Sequence, residues 1–183
     1  MKKIIIIILI MQSILCLSNT IDYRLHRIDK FDLSAGISTN NIWDIKQDKY
    51  GFIWIATTEG INMFNGKEFI KYQKGTGKMC LSNNNSQDLL MTSDNSVWIA
   101  TSQGLNIYNY QADSIQIIRK NSENNLSSND IMCFSPNSRG IWIATYDKGV
   151  NFYNFDTKKF EQLKLPPNVP CKYITSLLHD KYN

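Results

Sequence analysis

Asp44 and Asp88 stand 44 residues apart, each three residues after an asparagine, in Asn41-Ile42-Trp43-Asp44 and Asn85-Ser86-Gln87-Asp88. Two carboxylates held in one site can do general acid–base work or flank a glycosidic bond. The next two equivalent positions hold Cys133 and Ser176, which do not sustain that chemistry, so the position reads as tolerant and non-catalytic. The two histidines, His26 and His179, lie far apart and read as surface polar residues. No glycine-rich phosphate loop, nucleophile elbow or metal-spaced His/Asp cluster is present. The cysteines Cys16, Cys80, Cys133 and Cys171 form no C-x-x-C pair, which removes support for a zinc site. The expectation is a non-enzyme with no catalytic residue, metal or cofactor.

Binding chemistry is better represented. Trp43 places an aromatic face between the amide of Asn41 and the carboxylate of Asp44, a combination suited to sugars. Its equivalents further along are Gln87, Met132 and Thr175, so the position varies where its surroundings repeat. Asn41, Trp43, Asp44, Gln87 and Asp88 are therefore the candidate ligand-binding residues. For Trp43 itself a structural role is the favoured reading, with ligand binding as the alternative.

The elements that must position these residues come in copies. Phe52–Asn65 reads FIWIATTEGINMFN, Val97–Asn109 reads VWIATSQGLNIYN, and Ile141–Asn154 reads IWIATYDKGVNFYN. Trp54, Trp98 and Trp142 recur every 44 residues. A period of about 40–50 residues in strand-like sequence marks a propeller blade of four strands. Each copy opens on a Ser/Asn-rich turn (Ile37–Asn41, Leu81–Asn85, Leu126–Asp130), where such side chains bond nearby backbone. First strands are predicted at Ile42–Asp48, Ser86–Thr92 and Ile131–Pro136, followed by the apolar tryptophan strands. Gly60, Gly104 and Gly149 then turn the chain into third strands, with fourth strands at Glu68–Gln73, Ser114–Arg119 and Lys159–Leu163. The tryptophans, the threonines Thr57, Thr101 and Thr145, and these glycines repeat too regularly to be ligand contacts and are assigned to the fold. A fourth repeat begins at Tyr173–Asp180, with its tryptophan due near position 186.

The expected fold is all-β: an incomplete β-propeller of three four-stranded blades plus the first strand of a fourth. The repeats run at about 37–80, 81–125 and 126–168, with the start of the fourth at 169–183. Tyr23–Ile28 reads as a seam strand that closes a ring on its last blade.

Residues 1–18 read as a signal peptide, with Met1-Lys2-Lys3 before the apolar run Ile4–Met11 and small residues up to Ser18. The run is shorter than a membrane span needs. A partial propeller at 19–183 is then exported, where isolated thiols are the expectation for Cys80, Cys133 and Cys171. The net charge of +4 falls to +2 without Lys2 and Lys3, too little to imply nucleic acid as a partner.

The repeat phrase resembles the two-component regulator propeller repeat. Ser38, Asn40, Asp48, Gly51, Trp54, Thr57, Gly60 and Asn65 carry the match in the first copy. The later copies depart from the family's glycine or aspartate before the tryptophan strand, and alanine (Ala56, Ala100, Ala144) replaces the strand glycine in all three. The resemblance implies a periplasmic sensor region of a hybrid two-component histidine kinase of the Bacteroidetes type. It also implies an oligosaccharide as ligand, with further blades and the signalling domains of a membrane-anchored parent as partners. A propeller scaffold for protein–protein contact, or an inactive gene fragment, is the alternative.

Overall fold

The computed structural model describes residues 30–121, 123–164, 173–178 and 180. The chain divides into two units, Met1–Lys30 and Phe31–Asn183, and every described strand lies in the second. The expected leader, the seam strand at Tyr23–Ile28, His26, Cys171 and His179 lie outside the described residues. Among those described, no helix is long and apolar enough to cross a membrane.

Twelve described strands form three antiparallel four-stranded sheets, each a meander in which spatial order follows chain order. Blade 1 holds β1 (Ile42–Gln47), β2 (Ile53–Thr57), β3 (Gly60–Phe64) and β4 (Phe69–Tyr72). Blade 2 holds β5 (Ser86–Met91), β6 (Ser96–Thr101), β7 (Gly104–Asn109) and β8 (Ser114–Ile118). Blade 3 holds β9 (Ile131–Pro136), β10 (Gly140–Thr145), β11 (Gly149–Asn154) and β12 (Phe160–Gln162). The expected architecture is present, with the outer strands slightly shorter than the pattern suggested.

The second strand of each blade is apolar because both faces are covered. All six residues of β6 are buried. Ala56, Ala100 and Ala144 are fully buried, where a larger side chain would hold adjacent sheets apart. Gly60 adopts φ +98°, and a Cβ there would collide with the Tyr72 carbonyl of its own outer strand.

A polar staple repeats inside this apolar setting. Asn62, Asn106 and Asn151 are fully buried on the third strands. Each accepts the backbone N–H of the serine that opens its repeat: Ser38 at 2.9 Å, Ser82 at 2.8 Å and Ser127 at 3.0 Å. Each amide nitrogen donates back to that serine's Oγ, at 2.6, 2.9 and 2.8 Å respectively. The threonines Thr57, Thr101 and Thr145 donate to the carbonyls of Gly60, Gly104 and Gly149 at 2.7–2.8 Å. The loop entering each blade is thereby tied to its centre. Among the described residues no buried side-chain nitrogen or oxygen lacks a partner, as a low-dielectric interior requires.

Neighbouring blades pack by one rule. Trp54 of blade 1 meets Tyr108 of blade 2 at 5.2 Å, and Trp98 of blade 2 meets the equivalent Tyr153 of blade 3 at 5.0 Å. One core joins Trp54, Ala56, Ile61, Met63 and Tyr72 to Leu81, Leu89, Val97, Ile99, Tyr108 and Ile115. A second joins Trp98, Ala100 and Leu105 to Leu126, Ile131, Phe134, Ile141, Ile143 and Phe160. The tryptophan face of one sheet is thus closed by the sheet that follows it. Trp54 is 0% exposed and Trp98 4%, whereas Trp142, with no described blade after it, is half-buried against Phe152 at 4.6 Å.

The opening strand of a fourth repeat does not form as expected. Residues 173–178 enter no ladder, although Thr175, Ser176 and Leu177 lie beside Cys133 and Phe134 of β9. A first strand pairs with its blade's second strand, and the described residues hold none for this segment.

Candidate functional site

The first strands are the innermost of their meanders, and each carries a bulge at the same place. Ile42 pairs with Thr57 and Asp44 with Ala56, so Trp43 is the extra residue. Gln87 is skipped in the same way between Ser86 and Asp88, and Met132 between Ile131 and Cys133. A bulge interrupts pairing and re-aims the side chain it carries. Three blades thereby turn their most variable residue the same way.

These side chains meet around one cavity of about 300 Å³, lined by Trp43, Asp44, Gln87, Asp88, Met132, Cys133, Phe134, Thr175, Ser176 and Leu177. Four of the five candidate binding residues stand in its wall. Asn41 does not; it sits at the strand entrance, where its carbonyl accepts the Thr58 N–H at 3.3 Å. Trp43 is 61% exposed, an unsuitable position for a core residue.

The two aspartates work between blades. Asp44 Oδ2 accepts the N–H of Leu89 in blade 2 at 3.1 Å, and Asp88 Oδ2 accepts the N–H of Phe134 in blade 3 at 2.7 Å. Leu89 and Phe134 are equivalent residues, so the carboxylate latches each inner strand to the next. Lys46 reaches Asp44 Oδ1 at 2.9 Å. Burial raises the Asp88 carboxyl to about 6, the Phe134 N–H opposes that rise, and the nearby Asp44 adds to it. At the third latch position burial and the charge of Asp88 push the Cys133 thiol up to about 11. A protonated thiol and two carboxylates spent on backbone N–H groups suit binding better than acid–base chemistry.

Residues that the sequence pattern did not single out enlarge the site. Gln87 Nε2 donates to Ser102 Oγ at 3.2 Å and lies 3.5 Å from Asp130 Oδ1. Asp130 in turn lines a polar hollow of about 420 Å³ with Lys120, Ser128, Tyr146, Asp147 and Lys148, at the same end of the sheets. Burial, then the charge of Asp147, raise the Asp130 carboxyl. Tyr146 is 41% exposed and Tyr173 64%, their rings edge-on at 5.0 Å. Tyr146 follows Thr145 where the earlier copies have Thr58 and Ser102, so its variation between copies was the available signal. Among the described residues no three His, Cys, Asp or Glu side chains gather as metal ligands.

Comparison with known proteins gives a consistent picture. The family model described as two component regulator propeller matches residues 36–59 and 80–103, the opening halves of the first two repeats. The solved extracellular domain of BT3049 from B. thetaiotaomicron, described as a hybrid two component system, is similar at 30% identity and a TM-score of 0.75. That match covers 81% of this chain and 22% of the solved one. The extracellular domain of BT4673 from the same organism, described as a one component system, shares the fold at 23% identity and a TM-score of 0.59, over 69% of this chain and 19% of its own. A virginiamycin B lyase from Staphylococcus aureus shares the fold at 11% identity and a TM-score of 0.52, over 68% of this chain and 41% of its own. The chain thus spans about a fifth of the length of the two B. thetaiotaomicron domains. No curated protein matches it.

Proposed function

The chain carries two-component regulator propeller repeats, and from that premise we propose that it serves in the extracytoplasmic sensing module of a two-component signalling protein, without enzymatic activity of its own. The ligand we assign is an oligosaccharide, held where the bulged residues of successive blades converge. The observation that carries this reading is the 30% identity to an extracellular domain of a hybrid two component system over 81% of this chain. Support for the ligand class comes from the wall chemistry. Trp43 offers an exposed apolar ring face, Gln87 an amide within reach of Asp130, and Thr175 and Ser176 hydroxyl groups. Such mixed surfaces suit sugar rings, which carry an apolar C–H face and a hydroxyl edge.

In this reading, occupancy acts on the rest of the molecule through the inner strands. Its residues belong to three blades joined through the Asp44 and Asp88 latches, so a ligand that spans them favours one inter-blade arrangement over others. Only such a difference in affinity between arrangements can shift an equilibrium.

Calorimetry with a panel of plant and host oligosaccharides tests this. Binding by the chain, weakened about tenfold or more in Trp43→Ala and in Gln87→Ala, is the expected result. Absence of heat with every glycan, or binding indifferent to both substitutions, sinks the reading.

A further inference from the structure

Two clefts between neighbouring blades occupy equivalent places, at the end of the sheets where the first strand turns into the second, and they are filled differently. Between blades 1 and 2 the filler is Tyr110. Its hydroxyl donates to Asp48 Oδ2, which also accepts Trp54 Nε1–H at 2.8 Å. Its ring stands edge-on to Tyr50 at 4.7 Å, to Tyr108 at 4.8 Å and to Trp54 at 6.3 Å. A separate gap of about 70 Å³ lies beside Tyr110, against Met91, Asn95 and Val97 of blade 2.

Between blades 2 and 3 both parts of that plug have changed. Thr92 stands where blade 1 has Asp48, and Phe155 where blade 2 has Tyr110. Phe155 has no hydroxyl to anchor, and its backbone N–H donates to the Arg139 carbonyl at 3.0 Å while its ring contacts Tyr153 at 6.3 Å. Trp98 Nε1–H is left with Ser96 Oγ at 3.2 Å. A cleft of about 390 Å³ lies here, lined by the apolar Trp98, Ile107 and Tyr153 and by the polar Asp94, Gln116 and Lys158. That volume lies in the usual range for small-molecule sites.

We propose that this cleft binds a tyrosine side chain presented by a peptide, entering as Tyr110 enters the cleft next door. An aromatic ring gains from edge-to-face contact with Trp98 and Tyr153. Its hydroxyl needs an acceptor, and Asp94 supplies one. Asp94 Oδ1 is occupied by Thr92 and Ser96, while Oδ2 accepts no hydrogen bond from the described residues. Gln116 and Lys158 provide donors for carbonyls of the flanking peptide. A phenylalanine ring matches the apolar lining but brings no donor to Asp94. The inference stands apart from the oligosaccharide reading, since it uses none of the residues around Trp43.

The test is saturation-transfer NMR on the full chain with N-acetyl-L-tyrosinamide. The expected result is binding that weakens about tenfold for N-acetyl-L-phenylalaninamide and in Asp94→Asn, which keeps an Oδ1 acceptor for Thr92 and Ser96. The double variant Thr92→Asp/Phe155→Tyr rebuilds the plug of the neighbouring cleft and is expected to abolish binding, while Trp43→Ala leaves it unchanged. No transfer to the tyrosinamide, unaltered affinity in Asp94→Asn, persistence in a folded double variant, or displacement by methyl β-glucopyranoside overturns the proposal. So does loss of binding in Trp43→Ala, which would place the ring among the bulged residues instead.

Discussion

Replacing Asn106 by alanine tests the internal staple directly. Asn106 is fully buried, accepts the Ser82 N–H at 2.8 Å and donates to Ser82 Oγ at 2.9 Å and to the Gly104 carbonyl at 3.1 Å. Removing the amide strands the Ser82 N–H away from water, at a cost of roughly 1–3 kcal/mol for one unsatisfied buried group. Loss of the donor to Ser82 and the small cavity left behind add about 1 kcal/mol more. The expected destabilisation is therefore about 3 kcal/mol. The same substitution at Asn62 provides an internal scale. Ser38 is only half-buried, so water can replace part of what is lost, and about half the effect is expected. Urea unfolding of both variants, followed by circular dichroism, gives the two values from the midpoint shifts at a common slope. A loss under about 1 kcal/mol at Asn106, or an equal or larger loss at Asn62, refutes the reasoning.

Three further outcomes follow from the same geometry. Trp54→Ala is expected to cost about 3–5 kcal/mol, and Trp142→Ala clearly less, because only the first ring is sealed by a following blade; thermal melts compare them. Asp88 binds its proton more tightly folded than unfolded, because its folded value of about 6 exceeds the ordinary 3.8. Its contribution to stability is therefore full below about pH 4 and declines as pH rises towards 6. Asp88→Asn should flatten that decline in a pH series of urea midpoints, and an unchanged slope would count against the burial argument. Cys133, 9% exposed and with its thiol pushed up to about 11, should resist iodoacetamide at pH 8 in the native chain while the more exposed Cys80 is alkylated. Mass spectrometry of digested protein decides between them.

Repetition made the fold legible, and departures from repetition at Trp43 and Gln87 pointed to the cavity wall. The tryptophan and threonine positions recur in three copies, and in the structure Trp54, Trp98, Thr57, Thr101 and Thr145 are buried within the blades. Asn62, Asn106 and Asn151 recur as faithfully, yet their role emerged only once each amide was seen facing the serine that opens its blade. A polar residue kept three times inside an apolar strand was the signal. The carboxylate latch was masked differently, since Cys133 and Ser176 at equivalent positions made the position read as tolerant and Asp44 and Asp88 as ligand contacts. What they serve is a backbone N–H in the adjacent sheet, which residue types alone do not display. The bulges at Trp43, Gln87 and Met132 are likewise a matter of pairing register. The Asp48–Tyr110–Trp54 plug joins residues 56 and 62 positions apart and occurs once, so no internal alignment pointed to it.

The rule by which each sheet closes the one before it also bears on ancestry. A blade that covers its predecessor and is covered by its successor in the same way is interchangeable with its neighbours. Nothing inside such a unit counts how many there are. Duplication or deletion of one 44-residue segment therefore preserves the tryptophan–tyrosine contact that recurs between blades and alters chiefly the angle through which the array must turn. Closed rings tolerate about four to eight units. Descendants of one repeat can thus change size in whole steps, and the substitutions that distinguish Tyr110 from Phe155, or Trp43 from Gln87, can accumulate in one unit without being copied to the rest.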